Sequence, residues 1–436
     1  NVTVGDEAGT AITTGDNNVL IGYGAGDGFD AESNNVGVGY NALGGASYAA
    51  SNNTAVGSGA LGAATSGASN VAVGYNAGDA LTTGAGNNMV GLDAGGALTT
   101  GNFNTAMGYQ ALLTEDAASY NTAIGTYALK VSDGGDHNTA VGYNALAANT
   151  TATNNTAMGS AALAANTSGA GNTAVGRQSL EDNTTGYDVV AIGVNAGCQH
   201  TTGYQSVYVG TNAGRNNTTG ISNVAVGMGA MIANTTAGNN TAVGFNSLLC
   251  NTTGHNNSAF GKSTLCTLDD GDWNTAMGSQ AMCKTTTGCR NTAVGLNSLI
   301  CNTTGSGNTA VGGIDVGTIP AMWKNTTGAH NSAFGASALA YNTEGDYNTT
   351  AGYHAGYDVT TGDNNLILGK DAGITGSPGG SISTASNIIV LGDENITASN
   401  IQADWTVASD ARDKTDFTDL DIGLDFINAL KPYTYK

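Results

Sequence analysis

The sequence has little charge of either sign and almost no proline. Of its 436 residues 10% are charged, with 12 Lys and Arg against 33 Asp and Glu, and prolines number 3. Ordinary soluble domains carry about 25% charged residues, whereas disordered chains are rich in charge and proline. The shortage of basic residues and the net charge of −21 argue against a nucleic-acid partner.

Other features that define common classes of protein are also missing. No run of about 18 or more apolar residues occurs, so we predict no membrane insertion. His, Cys and carboxylate residues lack convincing metal-ligand spacing, and no phosphate-binding loop precedes a helix. We therefore predict neither a metal nor another cofactor.

The sequence is rich in glycine, with 67 residues, and glycine ends a short motif that recurs along the chain. Residues 138–142 read NTAVG, and the glycines that end such motifs, here called anchor glycines, recur every 17 residues. The spacing is 18 before Gly57 and 23 before Gly335 and Gly392. A fixed period of this size is typical of repeat architectures, in which each unit packs against its neighbours.

The repeat unit predicts an all-β fold. One short strand is expected at TAV and a second at Ala-Leu, as at Ala145 and Leu146, with a TTG turn in which glycine takes a positive φ. We predict a parallel β-solenoid or β-roll of about 23 coils over residues 1–392. One hairpin per unit is the weaker alternative, because hairpins need longer alternating runs.

Both faces of each TAV strand have the composition of buried surfaces, with Val and Thr on one face and Ala on the other. Asn precedes most strands, four residues before the anchor, and predicts a ladder of side-chain hydrogen bonds between coils, or else a simple turn preference. Ala at the strand centre, as at Ala140, favours close contact with a second chain; the alternative is that this face is simply exposed to solvent. Tyr often follows the anchor, as at Tyr143, and is expected to cover strand edges; a groove or a sugar site is the alternative.

Cysteines and insertions leave alternatives open. All 6 cysteines are expected to be free, although Cys266 and Cys283 occupy equivalent places on adjacent coils and could form a disulfide. Two insertions, near residues 314–324 and 374–386, interrupt the period. Each is either a recognition loop or a spacer.

The composition changes after the last anchor, Gly392. Residues 393–408 form a connector, and Leu420 to Leu430 have the apolar spacing of an amphipathic helix that Pro432 ends. Ser409 and Lys414 lie five residues apart, and a lysine of lowered pKa can act as base for a serine nucleophile.

The sequence around that pair reads ASDARDKTDF and continues as DIGLDFINALKPYTYK. It resembles the start of the intramolecular chaperone domain at the C-termini of phage tail fibres, tail spikes and endosialidases. The resemblance covers residues 409–436. It implies that three chains assemble with the help of this domain, which then releases itself by cleavage at Ala408–Ser409. Ser409 would be the nucleophile and Lys414 its base.

The repeats are similar in style to the heads of trimeric autotransporter adhesins, although the usual unit there is shorter. Together the resemblances imply a homotrimeric tail fibre of a bacteriophage virion. Its partners would be other virion tail proteins and a host surface glycan or protein, with no external substrate turned over. The alternatives are a trimeric adhesin head on a bacterial surface, an ice-binding solenoid and an endosialidase-like enzyme.

Overall fold

A computed structural model describes residues 1–45, 49–114, 116–313 and 319–398, which form a parallel β-solenoid. The chain divides into two compact units, Asn1–Glu394 and Asn395–Lys436, and the solenoid is the first. The described residues contain no helix. The predicted helix over residues 420–430 lies outside them.

Each coil contributes one strand of three residues, and the described residues contain 23 such strands. In chain order they are β1 (Val2–Val4), β2 (Val19–Ile21), β3 (Val36–Val38), β4 (Thr54–Val56), β5 (Val71–Val73), β6 (Asn88–Val90), β7 (Thr105–Met107), β8 (Thr122–Ile124), β9 (Thr139–Val141), β10 (Thr156–Met158), β11 (Thr173–Val175), β12 (Val190–Ile192), β13 (Val207–Val209), β14 (Val224–Val226), β15 (Thr241–Val243), β16 (Ser258–Phe260), β17 (Thr275–Met277), β18 (Thr292–Val294), β19 (Thr309–Val311), β20 (Ser332–Phe334), β21 (Thr349–Ala351), β22 (Leu366–Leu368) and β23 (Ile389–Leu391).

Every strand pairs in parallel with the strand of the next coil, at equivalent positions of the repeat. In β9 and β10, Thr139 pairs with Thr156 and Ala140 with Ala157. The predicted parallel solenoid and its 17-residue period are confirmed, and one hairpin per unit is wrong because hairpin strands pair antiparallel.

The interior holds the strand face that the sequence analysis placed outside. Ala140 and Asn138 are fully buried, whereas Thr139 and Val141 point outward and are half-buried. The expectation that the Ala face contacts a second chain is therefore wrong. Its physical reason is volume: a typical coil also turns a large apolar residue inward, such as Leu146, and a small strand residue leaves room for it.

Where the central strand residue is large, the inward leucines next to it are absent. Four strands carry a large central residue, and in each case glycine replaces the inward leucine on both sides. Tyr208, for example, lies between Gly197 and Gly214, where an added Cβ would come within 2.8 and 2.2 Å of the Tyr208 ring. The other three large residues are Leu20, Met89 and Ile367.

The second predicted strand, at Ala-Leu, is a turn. Asn144 and Leu146 have φ of 55° and 53°, in the left-handed region, and a strand cannot form there. The amide of Leu146 donates to the carbonyl of Ala162 in the next coil at 2.9 Å, which keeps the turn in line with its neighbours.

The role of glycine in the TTG turn also differs from the prediction. Gly186 does not take a positive φ; it is required because an added Cβ would lie 2.4 Å from the carbonyl oxygen of Gly203. Positive φ is found instead at the anchor, where Gly142 has φ of 139°.

The predicted asparagine ladder is confirmed. Asn155 Oδ1 accepts from the amide of Asn172 at 2.9 Å, and its Nδ2 donates to the Gly169 carbonyl at 2.9 Å. A second buried ladder runs through the asparagines that open the TTG turns, where Asn183 Nδ2 donates to Asn166 Oδ1 at 2.9 Å. The asparagine side chains thus supply hydrogen-bond partners for backbone N–H and C=O groups that are buried inside the coils.

Both ladders are interrupted near Tyr208. Ser206 replaces an asparagine of the first ladder, and His200 replaces one of the second. His200 Nε2 lies 2.8 Å from the Gly203 carbonyl, and Asn217 Nδ2 contacts both His200 Nδ1, at 3.2 Å, and the Tyr208 hydroxyl. Burial lowers the pKa of His200, so the ring is neutral inside the coil.

Candidate functional site

The outward strand face forms a strip along the solenoid whose strand positions carry no charge, and we call this strip the outer stripe. It consists of the first and third residues of every strand and the residue after each anchor glycine. No first or third residue of the 23 described strands is charged, on a chain of net charge −21. Local sequence explains the direction, because Ala and Asn occupy the interior side of every regular strand.

Many large apolar side chains of the outer stripe are exposed. Soluble monomers rarely expose contiguous apolar patches larger than a few hundred Å². The members exposed to solvent are Val2, Val4, Ile21, Tyr23, Tyr40, Tyr75, Leu92, Met107, Tyr109, Ile124, Tyr143, Met158, Ile192, Val194, Met228, Phe245, Phe260, Met277, Leu296, Phe334, Tyr353, Ile389 and Leu391.

Aromatic rings next to the anchors pack on one another along the stripe. Tyr23 stacks on Tyr40 with ring centroids 5.5 Å apart, and Tyr127 meets Tyr109 and Tyr143 edge-on at 5.4 and 6.2 Å. Tyr143 is 54% exposed. These rings pack on one another and leave much of their apolar surface in water.

The second insertion contributes to an open cleft on the coil surface, which we call the Tyr341 cleft. Its volume is about 500 Å³, and Ser381 and Ser383 from the insertion form part of its wall. The remaining lining residues are Tyr341, Tyr357, Asp358 and Thr360. Of the first insertion, residues 314–318 lie outside the described residues.

Cys266 and Cys283 form a disulfide between adjacent coils, with Cα atoms 4.9 Å apart. The expectation that all cysteines are free is wrong for this pair, because stacked coils bring equivalent positions within disulfide distance. Cys198, Cys250, Cys289 and Cys301 are free.

Neither a metal-binding cluster nor a membrane-spanning helix occurs in the part of the chain that the structure describes. No three His, Cys, Asp or Glu side chains there lie close enough to bind a metal ion. Over the same residues, no helix has the length and hydropathy to cross a bilayer.

The predicted dyad, Ser409 and Lys414, lies outside the described residues, so its geometry stays a prediction. Sequence reasoning missed Tyr341, Tyr357 and Asp358 of the cleft. A signal was available: in three consecutive coils an aromatic residue stands just before the turn, at Trp323, Tyr341 and Tyr357, where the coil of Gly142 has alanine.

Comparison with known proteins identifies the C-terminal segment. Residues 409–436 match the family described as chaperone of endosialidase. The match confirms the resemblance read from this segment, and with the β-solenoid it is consistent with a tail fibre or tail spike that carries a C-terminal chaperone. No curated protein matches the chain.

Proposed function

We propose that the chain is the shaft of a bacteriophage tail fibre or spike, in which three copies associate along their outer stripes and attach the virion to a host surface. The chaperone match at residues 409–436 carries this proposal. The partners would be two further copies of the chain, other tail proteins and a host surface glycan or protein.

The outer stripe is large enough for a stable interface. Parallel strands stack about 4.8 Å apart, so 23 coils extend the stripe over about 110 Å, and three strand residues span about 10 Å. The product, about 1,100 Å², exceeds the roughly 800 Å² that each partner buries in a standard interface. Association would remove this uncharged surface from water.

A repetitive shaft has a physical need for a chaperone. Because neighbouring coils are alike, two chains displaced by one coil would still pair Val with Val and Thr with Thr along most of the stripe. Such a shifted trimer would be nearly as stable as the native one and slow to correct. A domain that holds the three C-termini together in the same register would fix the alignment of the coils before the outer stripes associate.

Release of that domain would use Ser409 and Lys414. In this step the Ser409 hydroxyl attacks the Ala408 carbonyl carbon while Lys414 accepts its proton. The peptide nitrogen leaves as an amine, and water then hydrolyses the resulting ester. No external substrate is turned over.

The test compares refolding of the natural full-length chain with refolding of a chain that ends at Ala408. We expect the full-length chain to regain one oligomeric species after dilution from denaturant, and the shortened chain to give monomers and aggregates. Equal recovery of the same oligomer by both chains would contradict the assigned role of the C-terminal segment.

Cleavage is tested on the same material by denaturing electrophoresis and intact mass. We expect a break at Ala408–Ser409 that is absent from the Ser409→Ala variant. An uncut full-length chain would contradict self-release and leave the chaperone as part of the mature protein.

A further inference from the structure

The Tyr341 cleft lies where the coil surface departs from the repeat. In the coil of Gly142, Ala147 and Ala148 precede the turn, and many other coils have small residues there. In the coils that form the cleft the corresponding places carry Tyr341, Tyr357 and Asp358. A cleft of about 500 Å³ falls in the range of small-ligand sites, roughly 300–1,000 Å³.

One wall of the cleft is aromatic. The rings of Tyr341 and Tyr357 meet edge-to-face with centroids 4.9 Å apart, and both residues are only half-buried. The ring centroid of Trp323 lies 6.4 Å from that of Tyr341, in an edge-to-face arrangement. The Lys324 ammonium lies 4.3 Å from the Tyr341 ring centroid. This packing holds the rings in place before any ligand arrives, which reduces the entropy lost on binding.

The remaining lining residues are polar. Ser381 Oγ donates to Asp358 Oδ2 at 3.0 Å, and Thr360 Oγ1 donates to the Ser383 carbonyl at 3.0 Å. A hydrogen bond with Tyr341 is the main cause that raises the pKa of Tyr357 to about 12, so its phenol keeps its proton at neutral pH. The cleft therefore offers a carboxylate, hydroxyls and phenols beside aromatic faces.

We propose that the Tyr341 cleft binds a neutral saccharide. A pyranose ring presents C–H groups on its face, which pack against aromatic rings, and hydroxyls at its rim, which donate to carboxylates and exchange hydrogen bonds with hydroxyl groups. The lining contains the Asp358 carboxylate but not Lys324, whose ammonium lies against the Tyr341 ring, and the chain carries a net charge of −21, so acidic sugars are disfavoured. This assignment rests on the proposed role in host attachment and specifies the class of receptor.

The site is separate from the outer stripe. Tyr357 and Asp358 lie five and six residues after the anchor Gly352, whereas the stripe uses the residues that flank the anchor. Assembly through the stripe would therefore leave one cleft on each chain, and an array of weak sites can hold a cell surface firmly.

The binding test uses saturation-transfer NMR on the full chain with methyl α-glucoside, methyl β-galactoside and N-acetylglucosamine, each at millimolar concentration. N-acetylneuraminic acid serves as the acidic comparison. We expect transfer to the ring protons of at least one neutral sugar, and at least about tenfold weaker binding in the Tyr341→Ala/Tyr357→Ala variant. Alanine already stands just before the turn in other coils, so this variant is expected to fold.

The matched control is Tyr187→Ala, which removes one ring of the stacked pair formed with Tyr204, at a centroid distance of 4.9 Å and away from the cleft. This control should bind as the wild type does. Transfer to none of the neutral sugars, equal binding by the double variant, or preference for the acidic sugar would overturn the proposal.

A cell-binding assay distinguishes the proposal that the cleft binds a saccharide from the wider proposal that the chain attaches to a host surface. The labelled wild-type chain is screened for bacterial strains that it coats, and the double variant is then applied to those strains. Loss of coating supports the cleft as the receptor site. Undiminished coating would overturn the cleft assignment while leaving host attachment intact, and absence of any coated strain would count against host attachment itself.

Discussion

At the scale of single residues, each coil encloses a nearly constant volume, and the residues that fill it vary together. A small residue at the strand centre accompanies an inward leucine, as with Ala140 and Leu146, and a large one accompanies glycine on both sides. Interiors packed to the density of organic crystals tolerate neither a void nor an extra methylene without cost.

Met89 gives a test of this compensation. It lies between Gly78 and Gly95, where an added Cβ would come within 2.6 and 2.9 Å of its sulfur. We expect Met89→Ala to destabilise its coils by about 2–5 kcal/mol, the usual cost of such a cavity. Hydrogen exchange of β5 to β7 measures the loss locally, which suits a repeat protein that opens in segments.

The rescue variant adds Gly78→Leu and Gly95→Leu to Met89→Ala. Leucine occupies this position in other coils with a similar φ, 53° at Leu146 against 59° at Gly78. Protection should therefore return toward the wild-type level. A triple variant that exchanges faster than Met89→Ala alone would contradict volume compensation.

His200 predicts a local dependence of stability on pH. Its pKa is lowered in the folded coil by burial, from an ordinary value of 6.5, so below that value the unfolded chain binds more protons than the folded one. The stabilising contribution of the neutral ring is complete above about pH 6.5 and is lost as the pH falls toward the lowered pKa.

We expect His200→Asn to remove this dependence, because asparagine occupies the same ladder position at Asn183 and Asn217. The measurement is hydrogen exchange of β12 to β14 in both chains between pH 5 and pH 8, corrected for the intrinsic exchange rate. The wild type should lose protection at the acidic end and the variant should not. Parallel profiles would show that His200 does not control the local opening.

At the scale of elements, the ladders connect three-residue strands that could not stand alone. Asn155 serves two buried backbone groups, the Asn172 amide and the Gly169 carbonyl. We expect Asn155→Ala to cost on the order of 3 kcal/mol, because each buried group left unpaired costs about 1–3 kcal/mol.

Asn155→Ser is the graded comparison. The chain itself uses serine at this position in one coil, where Ser206 Oγ accepts from the Asn223 amide at 3.2 Å. Serine should therefore recover part of the loss, and local exchange should rank the wild type first, serine second and alanine third. Equal exchange in all three would mean that the ladder adds nothing to stability.

The disulfide between adjacent coils predicts a labelling pattern. Alkylation of the non-reduced chain should modify four cysteines, and reduction should add Cys266 and Cys283. Burial raises the pKa of Cys198 to about 11, so this thiol should react slowest in the folded chain, since the thiolate is the reactive form. Peptide mapping checks both points, and six labelled cysteines before reduction would contradict the bridge.

The period allowed the strands and their pairing to be predicted, because one equivalent residue every 17 positions leaves a single consistent alignment. Hydrophobicity misled the assignment of faces. Val141 is more apolar than Ala140 and would be placed inside on that ground, but the volume taken by Leu146 decides the matter. The turn at Leu146 escaped prediction because leucine rarely takes a positive φ without tertiary support.

The candidate sites divide in a similar way. Ser409 and Lys414 were predicted from the local sequence and stay a prediction, while residues 409–436 match a known family. The Tyr341 cleft could not be predicted in detail, because it joins Tyr341 with Ser381, which the 23-residue insertion brings next to neighbouring coils. Its aromatic residues repeat over three coils and were visible in the sequence only once the coil geometry was known.

At the scale of the whole molecule, the outer stripe leads to the central claim that three chains associate. Apolar third residues of the strands would meet near a common axis, where a charge could neither be hydrated nor paired. The opposite arrangement, a monomeric shaft, would leave a row of uncharged strand positions about 110 Å long in water.

The most direct measurement is the native mass of the chain by sedimentation equilibrium, divided by the mass of one chain under denaturing conditions. The test variant carries lysine at four stripe positions, Val141, Val175, Val209 and Val243, and the matched control carries lysine at four exposed turn positions, Thr151, Thr185, Thr219 and Thr253. We predict a ratio of three for the wild type and the control, and a lower ratio for the stripe variant. A wild type that sediments as one chain, or a stripe variant that remains trimeric, would contradict the account.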